Sequence, residues 1–292
     1  LITAGTAAEA RQVCTHWRSS GETLGFVPTM GALHEGHLSL VRLARGRCDR
    51  VAVSIFVNPH QFGPAEDFSE YPRTVGSDTV LLEREGVDLL FLPDASEIYP
   101  RGYSTWIDVA EVSEGLCGLH RPGHFRGVAT VCCILFSILR PQVAVFGRKD
   151  AQQLAVIRRM VSDLRLNMEV VGAPTIREPD GLALSSRNRY LSESERIESA
   201  AIHRGLLRAA GLAESAVGVS SSALRDAFLE EMSGHALLRL QYADLVDPAT
   251  MEPMPVLDRR GLFAVAVFAG KTRLIDNVLL DPGSGTVEVE TC

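Results

Sequence analysis

Several features are missing from this 292-residue chain, and each absence narrows what it does. No uncharged apolar run reaches the roughly 18 residues that a membrane helix needs, and nothing at the start has the form of a signal peptide. No G-x-x-x-x-G-K-[ST] occurs, so a P-loop is excluded. There is no H-E-x-x-H and no paired C-x-x-C, so no recognised zinc motif is present. The six cysteines (Cys14, Cys48, Cys117, Cys132, Cys133, Cys292) are scattered without ligand spacing. Cys132 and Cys133 sit together in an apolar run and read as core. That usage fits a reducing compartment and predicts a cytoplasmic protein. No internal repeat or low-complexity tract is found. The net charge of −7 lacks the basic excess a nucleic-acid partner demands. A local field can still hold an anionic substrate against that balance.

What is present is a sizeable apolar fraction, 46%, in a chain long enough for one large or two moderate domains. Thr6 to Arg18 reads as a helix, Thr23 to Val27 as a strand, and Gly36 to Arg47 as the next helix. Val51-Ala-Val-Ser-Ile-Phe-Val57 is a β-branched run of the kind buried on both faces of a sheet. A helix from Val75 to Glu85, a strand at Asp88 to Leu92 and a short strand near Thr105 to Val109 follow. Next come a helix from Phe125 to Leu139, a strand at Val143 to Gly147, a helix from Lys149 to Leu164 and a strand at Met168 to Val171. Alternating strand and helix imply parallel β-α-β units, hence an α/β, Rossmann-like N-terminal domain over residues 1–175. Beyond about Pro174 the character changes. Helices over Glu193 to Leu212 and Ser222 to Met232 precede three apolar or alternating runs, Leu237 to Val246, Leu262 to Phe268 and Arg273 to Leu280. These predict antiparallel strands in a smaller α+β domain over residues 176–292.

The chain is organised around Phe26-Val-Pro-Thr-Met-Gly-Ala-Leu-His-Glu-Gly-His-Leu38. A strand, a glycine turn and a helix start form an anion site, because free N–H groups and the helix dipole converge there. His34 and His37, three apart, share one side of that helix start. Each can donate to a phosphate oxygen. The same pair would also serve as structural histidines or as two zinc ligands, although zinc needs a third ligand.

Ligands gather at the ends of parallel strands. Three such ends here are polar. The first carries Thr29, Met30, His34 and His37; the second Asn58, His60 and Gln61; the third Gly147-Arg-Lys-Asp150 with Gln152 and Gln153. Lysine suits phosphate as a point charge, glutamine a hydroxyl, and aspartate a ribose. In isolation, Gly-Arg-Lys-Asp reads as a solvated turn. A fourth cluster, Asp180-Gly-Leu-Ala-Leu-Ser-Ser-Arg-Asn188, places Ser185, Ser186 and Arg187 where two hydroxyls and a guanidinium clamp a polyphosphate. The bland alternative is a helix-capping run. Ser192 already fills that role, with Glu195 completing a capping box.

Six stretches, in order, resemble the pantoate–β-alanine ligase family: Pro28 to His37, Phe56-Val-Asn-Pro59 with Gln61-Phe62, Tyr71-Pro-Arg-Thr74, Arg121-Pro-Gly-His-Phe125 with Gly127-Val128, Lys149 to Gln153, and Asp180 to Asn188. His34-Glu-Gly-His37 is similar to the HIGH signature of nucleotidylyltransferases, and Ser185-Ser-Arg187 stands where relatives carry a mobile KMSKS-type loop. The resemblance implies an ATP-dependent ligase: pantoate attacks the α-phosphate, and β-alanine then attacks pantoyl adenylate. It implies that His37, His34, Lys149, Ser185, Ser186 and Arg187 are catalytic, with His37 a proton donor. ATP would meet these together with Met30, Gly31, Gly147, Asp150, Ile176 and Leu184. Pantoate would meet Met30, Asn58, Gln61 and Gln153, and β-alanine Gln61. Mg²⁺ would accompany ATP, with Asp78 nearby through water. A homodimer is implied, with no membrane or nucleic-acid partner. Three positions depart from the family pattern: Arg148 for Glu or Gln, His60 for an apolar residue, and the Leu116 to His120 approach to Arg121. Two rivals stand beside this reading, a different nucleotidylyltransferase and a non-catalytic nucleotide-binding protein.

Overall fold

A computed structural model describes residues 1–282 except Ala65 and Val217; Cys292 lies outside the described residues. In chain order the elements are β1 (Ile2–Ala4), α1 (Ala7–Ser19), β2 (Leu24–Thr29), α2 (Glu35–Arg45), β3 (Arg50–Ile55), α3 (Val75–Arg84), β4 (Leu89–Phe91), α4 (Ala95–Ile98), α5 (Cys117–His120), α6 (His124–Leu139), β5 (Val143–Gly147), α7 (Ala151–Asp163) and β6 (Glu169–Ala173). Then follow α8 (Glu193–Ser199), α9 (Ala201–Ser215), β7 (Val219–Ser220), α10 (Ser221–Met232), β8 (Leu238–Val246), β9 (Val256–Leu257), β10 (Gly261–Ala269) and β11 (Thr272–Leu280).

The first six strands form one parallel sheet in the order β1-β4-β3-β2-β5-β6. Helices cover both faces, so strands such as β3 are buried from Val51 onward, as their apolar run requires. The strand order reverses between β2 and β5. At that point the two connections leave in opposite directions, and a crevice opens beyond the strand ends.

A second, antiparallel sheet, β11-β10-β8, follows. Its central strand explains why residues 261–269 do not alternate. Leu262, Ala264 and Ala266 pack into the core shared with α6 and α7, while Phe263, Val265 and Val267 pack against α9 and α10. Both faces of β10 are dry, so period 2 is hidden.

Four differences from expectation have local causes. Thr105 to Val109 is irregular, and the Ile107 N–H bonds the Thr130 hydroxyl at 3.0 Å instead of a strand. β1 is a three-residue edge strand beside β4, too short for a pattern to register. The helix expected from Lys149 starts later, because Arg148–Asp150 forms a separate tight turn ahead of α7. The helix expected over Glu193 to Leu212 is two, α8 and α9, meeting at Ala200. Ser192 and Glu195 do form the capping box. None of the described helices is long and apolar enough to cross a membrane.

Candidate active site

The polar residues converge in an open cavity of about 230 Å³ beyond the C-terminal ends of β2 and β5. The turn after β2 sets its floor. Gly31 and Ala32 both have positive φ, 82° and 52°, and a Cβ on Gly31 would lie 2.9 Å from the Ile55 side chain. Glycine is needed there, and the strained alanine beside it needs bracing. The brace is Asp78, which is 2% exposed. Its carboxylate accepts the N–H groups of Ala32 (2.9 Å) and Leu33 (3.0 Å) and the Thr74 hydroxyl (3.1 Å).

That turn delivers His34 as the cap of α2. The His34 Nδ1 accepts the Gly36 N–H at 3.1 Å, and the His37 Nδ1 accepts the His34 N–H at 3.3 Å. The two rings lie 4.2 Å apart. An Nδ1 that accepts carries no proton, so each neutral ring holds its proton on Nε2. Burial, aided by Lys149 and Arg189, lowers the His34 pKa to about 4. Burial, His34 and Lys149 lower that of His37 to about 3. At neutral pH both imidazoles are therefore uncharged Nε2–H donors lining the cavity.

The turn after β5 brings Gly147, Lys149 and Asp150 to the opposite wall. Lys149 Nζ stands 3.5 Å from the Asp150 carboxylate. Burial opposes the charge on Asp150, yet Lys149, His124 and Arg187 together outweigh it and hold the pKa below the usual range. Asn277 on β11 donates to the carbonyls of both Arg148 and Lys149 at 3.0 Å, fixing this turn from behind.

A hairpin supplies the third wall. Glu178 N–H bonds Leu182 O at 2.8 Å and Leu184 N–H bonds Ile176 O at 2.9 Å, closing on Gly181 with φ of 92°. The buried Arg177–Asp276 pair (2.6 and 3.0 Å) ties the hairpin to β11. Ser185, Ser186 and Arg187 emerge from it into the cavity. The Arg187 guanidinium grips Asp67 through two bonds, 2.8 and 3.1 Å. Burial alone would lower its pKa, but Asp67, with Tyr71 and Glu66, holds it above the usual value. The Tyr71 hydroxyl lies 3.3 Å from that of Ser186.

Gln61 and Gln153 face the same space. The Gln61 carbonyl receives His124 Nδ1–H at 2.8 Å and Arg121 Nη2 at 3.2 Å, and Arg121 is itself paired with Glu66 (2.6 and 2.7 Å). A carbonyl only accepts, so His124 carries its proton on Nδ1, and Nε2 faces Arg121 at 3.0 Å. Burial and Arg121 lower its pKa to about 4.

Comparison with known proteins identifies the family. A family model described as pantoate-beta-alanine ligase matches residues 3–279. The chain belongs to the pantoate–β-alanine ligase family. It is 55% identical to a pantothenate synthetase of Heliobacterium modesticaldum over 261 residues, 89% of this chain and 92% of the relative. It superposes on a pantothenate synthetase of Thermus thermophilus with a TM-score of 0.90 at 44% identity, covering 97% and 99% of the two chains. A ligase of this family from Francisella tularensis, solved with beta-gamma ATP and β-alanine, superposes with a TM-score of 0.79 at 34% identity, covering 97% and 100%.

Of the residues expected in a pantoate–β-alanine ligase site, Met30, His34, His37, Gln61, Gly147, Lys149, Asp150, Gln153, Ile176, Leu184, Ser185, Ser186 and Arg187 line one cavity. Three others do not. Gly31 lies behind the wall and shapes the turn. Asn58 is fully buried: its amide donates to Gly127 O (3.0 Å) and its oxygen accepts from His60 N–H (3.2 Å) and Tyr99 OH (3.0 Å). Asp78 has given its oxygens to the turn instead of a hydrated metal. Gln152 likewise faces inward, bonding Cys117 N–H, Val112 O and Gly115 O. Arg148 lines a separate cleft against α7 and β11, with Nε on Gly172 O at 3.2 Å. His60 packs on Tyr99 and Trp106, at 4.6 and 4.8 Å.

A resident Mg²⁺ does not fit these residues. Among the described residues Asp150 is the single carboxylate lining the cavity, it faces Lys149, and no cluster of three or more His, Cys, Asp or Glu able to hold a metal occurs. Sequence reasoning gave no role to Tyr71, which lines the cavity, nor to Asp67 behind Arg187. It also left one signal unused: the chain has only two lysines, Lys149 and Lys271, against 27 arginines. A lysine kept in such an arginine-rich chain marks a place for a compact point charge.

Proposed function

We propose that the chain is an ATP-dependent ligase that condenses pantoate with β-alanine through pantoyl adenylate, releasing AMP and pyrophosphate. The observation that carries this reading is one cavity lined both by phosphate donors, His34, His37, Lys149 and Arg187, and by Gln61 and Gln153. Gln61 and Gln153 bind the pantoate hydroxyls against Met30. The pantoate carboxylate then forms a bond to the α-phosphorus as the bond to the leaving β-phosphate oxygen breaks. Charge grows on the phosphoryl oxygens, and fixed donors aimed there lower the barrier. The Nε2–H groups of His34 and His37 and the Lys149 ammonium are those donors. His37 donates from a neutral ring in the free protein, and an arriving polyphosphate raises its pKa by opposite charge.

Ser185, Ser186 and Arg187 hold the departing pyrophosphate. Gly147 and Asp150 meet the ribose, and Ile176 and Leu184 flank adenine. The β-alanine amine, bound near Gln61, attacks the acyl carbon in its unprotonated form and expels AMP. Mg²⁺ enters as the counter-ion of ATP, part of the substrate, and no step here runs through it. Residues 176–292 act as the lid domain that keeps water from the acyl adenylate. The working enzyme is a cytoplasmic homodimer. ATP–pyrophosphate exchange tests the scheme: exchange that needs pantoate but not β-alanine is the expected result. A folded protein that binds ATP yet shows no such exchange overturns the separable adenylate.

A further inference from the structure

The Arg187 guanidinium lines the cavity while Asp67 grips it from behind through two parallel bonds of 2.8 and 3.1 Å. Asp67 is not a lone contact. It belongs to a strap, residues 66–71, that meets the Ser185–Tyr190 segment at two further points. Tyr71 OH lies 3.3 Å from Ser186 Oγ, and Tyr190 OH donates to Glu70 O at 3.3 Å. The neighbouring Glu66 holds Arg121, which in turn holds Gln61. Two successive carboxylates thus grip two arginines: Arg187, which lines the cavity, and Arg121, which holds the cavity residue Gln61 from behind. Both pairs are partly buried, where a bidentate carboxylate is a strong competitor for any other anion.

We infer that Asp67 is the resident counter-ion of Arg187, a positioning residue that the pyrophosphoryl oxygens must displace and that reclaims the guanidinium when pyrophosphate leaves. The inference rests on the ATP-cleaving reading above. Its physical logic is exchange of one anion for another. A partly buried arginine left bare would bind pyrophosphate tightly and release it slowly. A carboxylate beside it keeps the fork oriented and weakens product binding by competition and like-charge repulsion. AMP has no β- or γ-phosphate, so it does not compete with Asp67.

The test is calorimetric titration of the full chain with inorganic pyrophosphate, and separately with AMP, in the wild type, Asp67→Asn and Asp67→Glu. Asp67→Asn keeps an acceptor but removes the charge. It is expected to tighten pyrophosphate about tenfold, equivalent to about 1.4 kcal/mol, with AMP unchanged within about twofold. Asp67→Glu, which restores the charge, is expected to return pyrophosphate affinity toward wild type. Unchanged or weaker pyrophosphate binding in Asp67→Asn overturns the inference. So does equal tightening of AMP, which would signal only a general field, or loss of both ligands, which would make the strap merely structural. The titration needs no turnover, so failure of the adenylate reading shows up separately, as absent pantoate-dependent exchange in the wild type.

Discussion

Gly127→Ala tests how closely the Gln61 wall, the proposed pantoate site, depends on backbone packing. Gly127 lies on α6, where the helix crosses the Pro59–Gln61 turn. A Cβ there would sit 2.0 Å from His60 O, 2.5 Å from His60 C and 3.0 Å from Gln61 N. Real Cβ contacts essentially never fall below 3.0 Å, so helix and turn must part by at least about 1 Å. Neither can yield freely. α6 has eleven buried residues, and Asn58 pins the turn to Gly127 O at 3.0 Å. Overpacking of this kind costs about 1–3 kcal/mol of stability. The displaced group is Gln61, and a misplacement of about 1 Å costs roughly 10²-fold in rate, or about 2.7 kcal/mol of barrier. The assay is the initial rate of pantothenate formation with pantoate and ATP varied in turn, beside a thermal melt. The expected result is a pantoate kcat/KM down about a hundredfold, with a smaller rise in the ATP KM. Gly76→Ala is the control: on α3 its Cβ meets nothing within 4 Å, and activity and stability should hold or improve. A Gly127→Ala enzyme within about threefold of wild type, with an unchanged melt, refutes the argument.

Three further outcomes follow from the same geometry. His37→Ala should cut pantoate-dependent pyrophosphate exchange by roughly 10²–10⁴-fold while leaving the circular-dichroism spectrum intact; near-normal exchange in a folded variant would remove His37 from the chemistry. Asp78→Ala strips the turn of a carboxylate that satisfies two buried N–H groups, so it should lose on the order of 3 kcal/mol in denaturant unfolding even without nucleotide or Mg²⁺. A stability loss seen only with Mg²⁺–ATP would restore the metal role. His34, His37 and His124 titrate at about 4, 3 and 4 when folded, against an ordinary 6.5. Between those values the unfolded chain binds more protons, so stability falls as pH drops below 6.5. Carboxylates such as Glu66 and Asp150, ordinarily near 4.5 and 3.8, add their loss only at lower pH. The urea midpoint should therefore fall from pH 7 to 5, and a flat profile would contradict the neutral-imidazole assignment.

The sequence by itself determined the α/β class with parallel strands, most of the strands and helices along the chain, the glycine turn after β2 and most of the cavity wall. These are local matters: apolar periodicity, positive φ at Gly31, capping at Ser192, and the polar ends of parallel strands are written within a few residues of one another. Tertiary structure decided which of two neighbouring polar residues works in the cavity. Gln153 faces it and Gln152 the core because one step along a helix turns a side chain by about 100°. Asn58 is sealed beneath α6 while Gln61, three residues on, stays at the wall. Asp78 is spent on the backbone of a turn 45 residues away in sequence, and Asp67 meets Arg187 across 120 residues. Such assignments depend on which buried N–H or guanidinium lies opposite. Only folding brings those partners together, and an unpaired charge in the interior is too costly to leave the choice open.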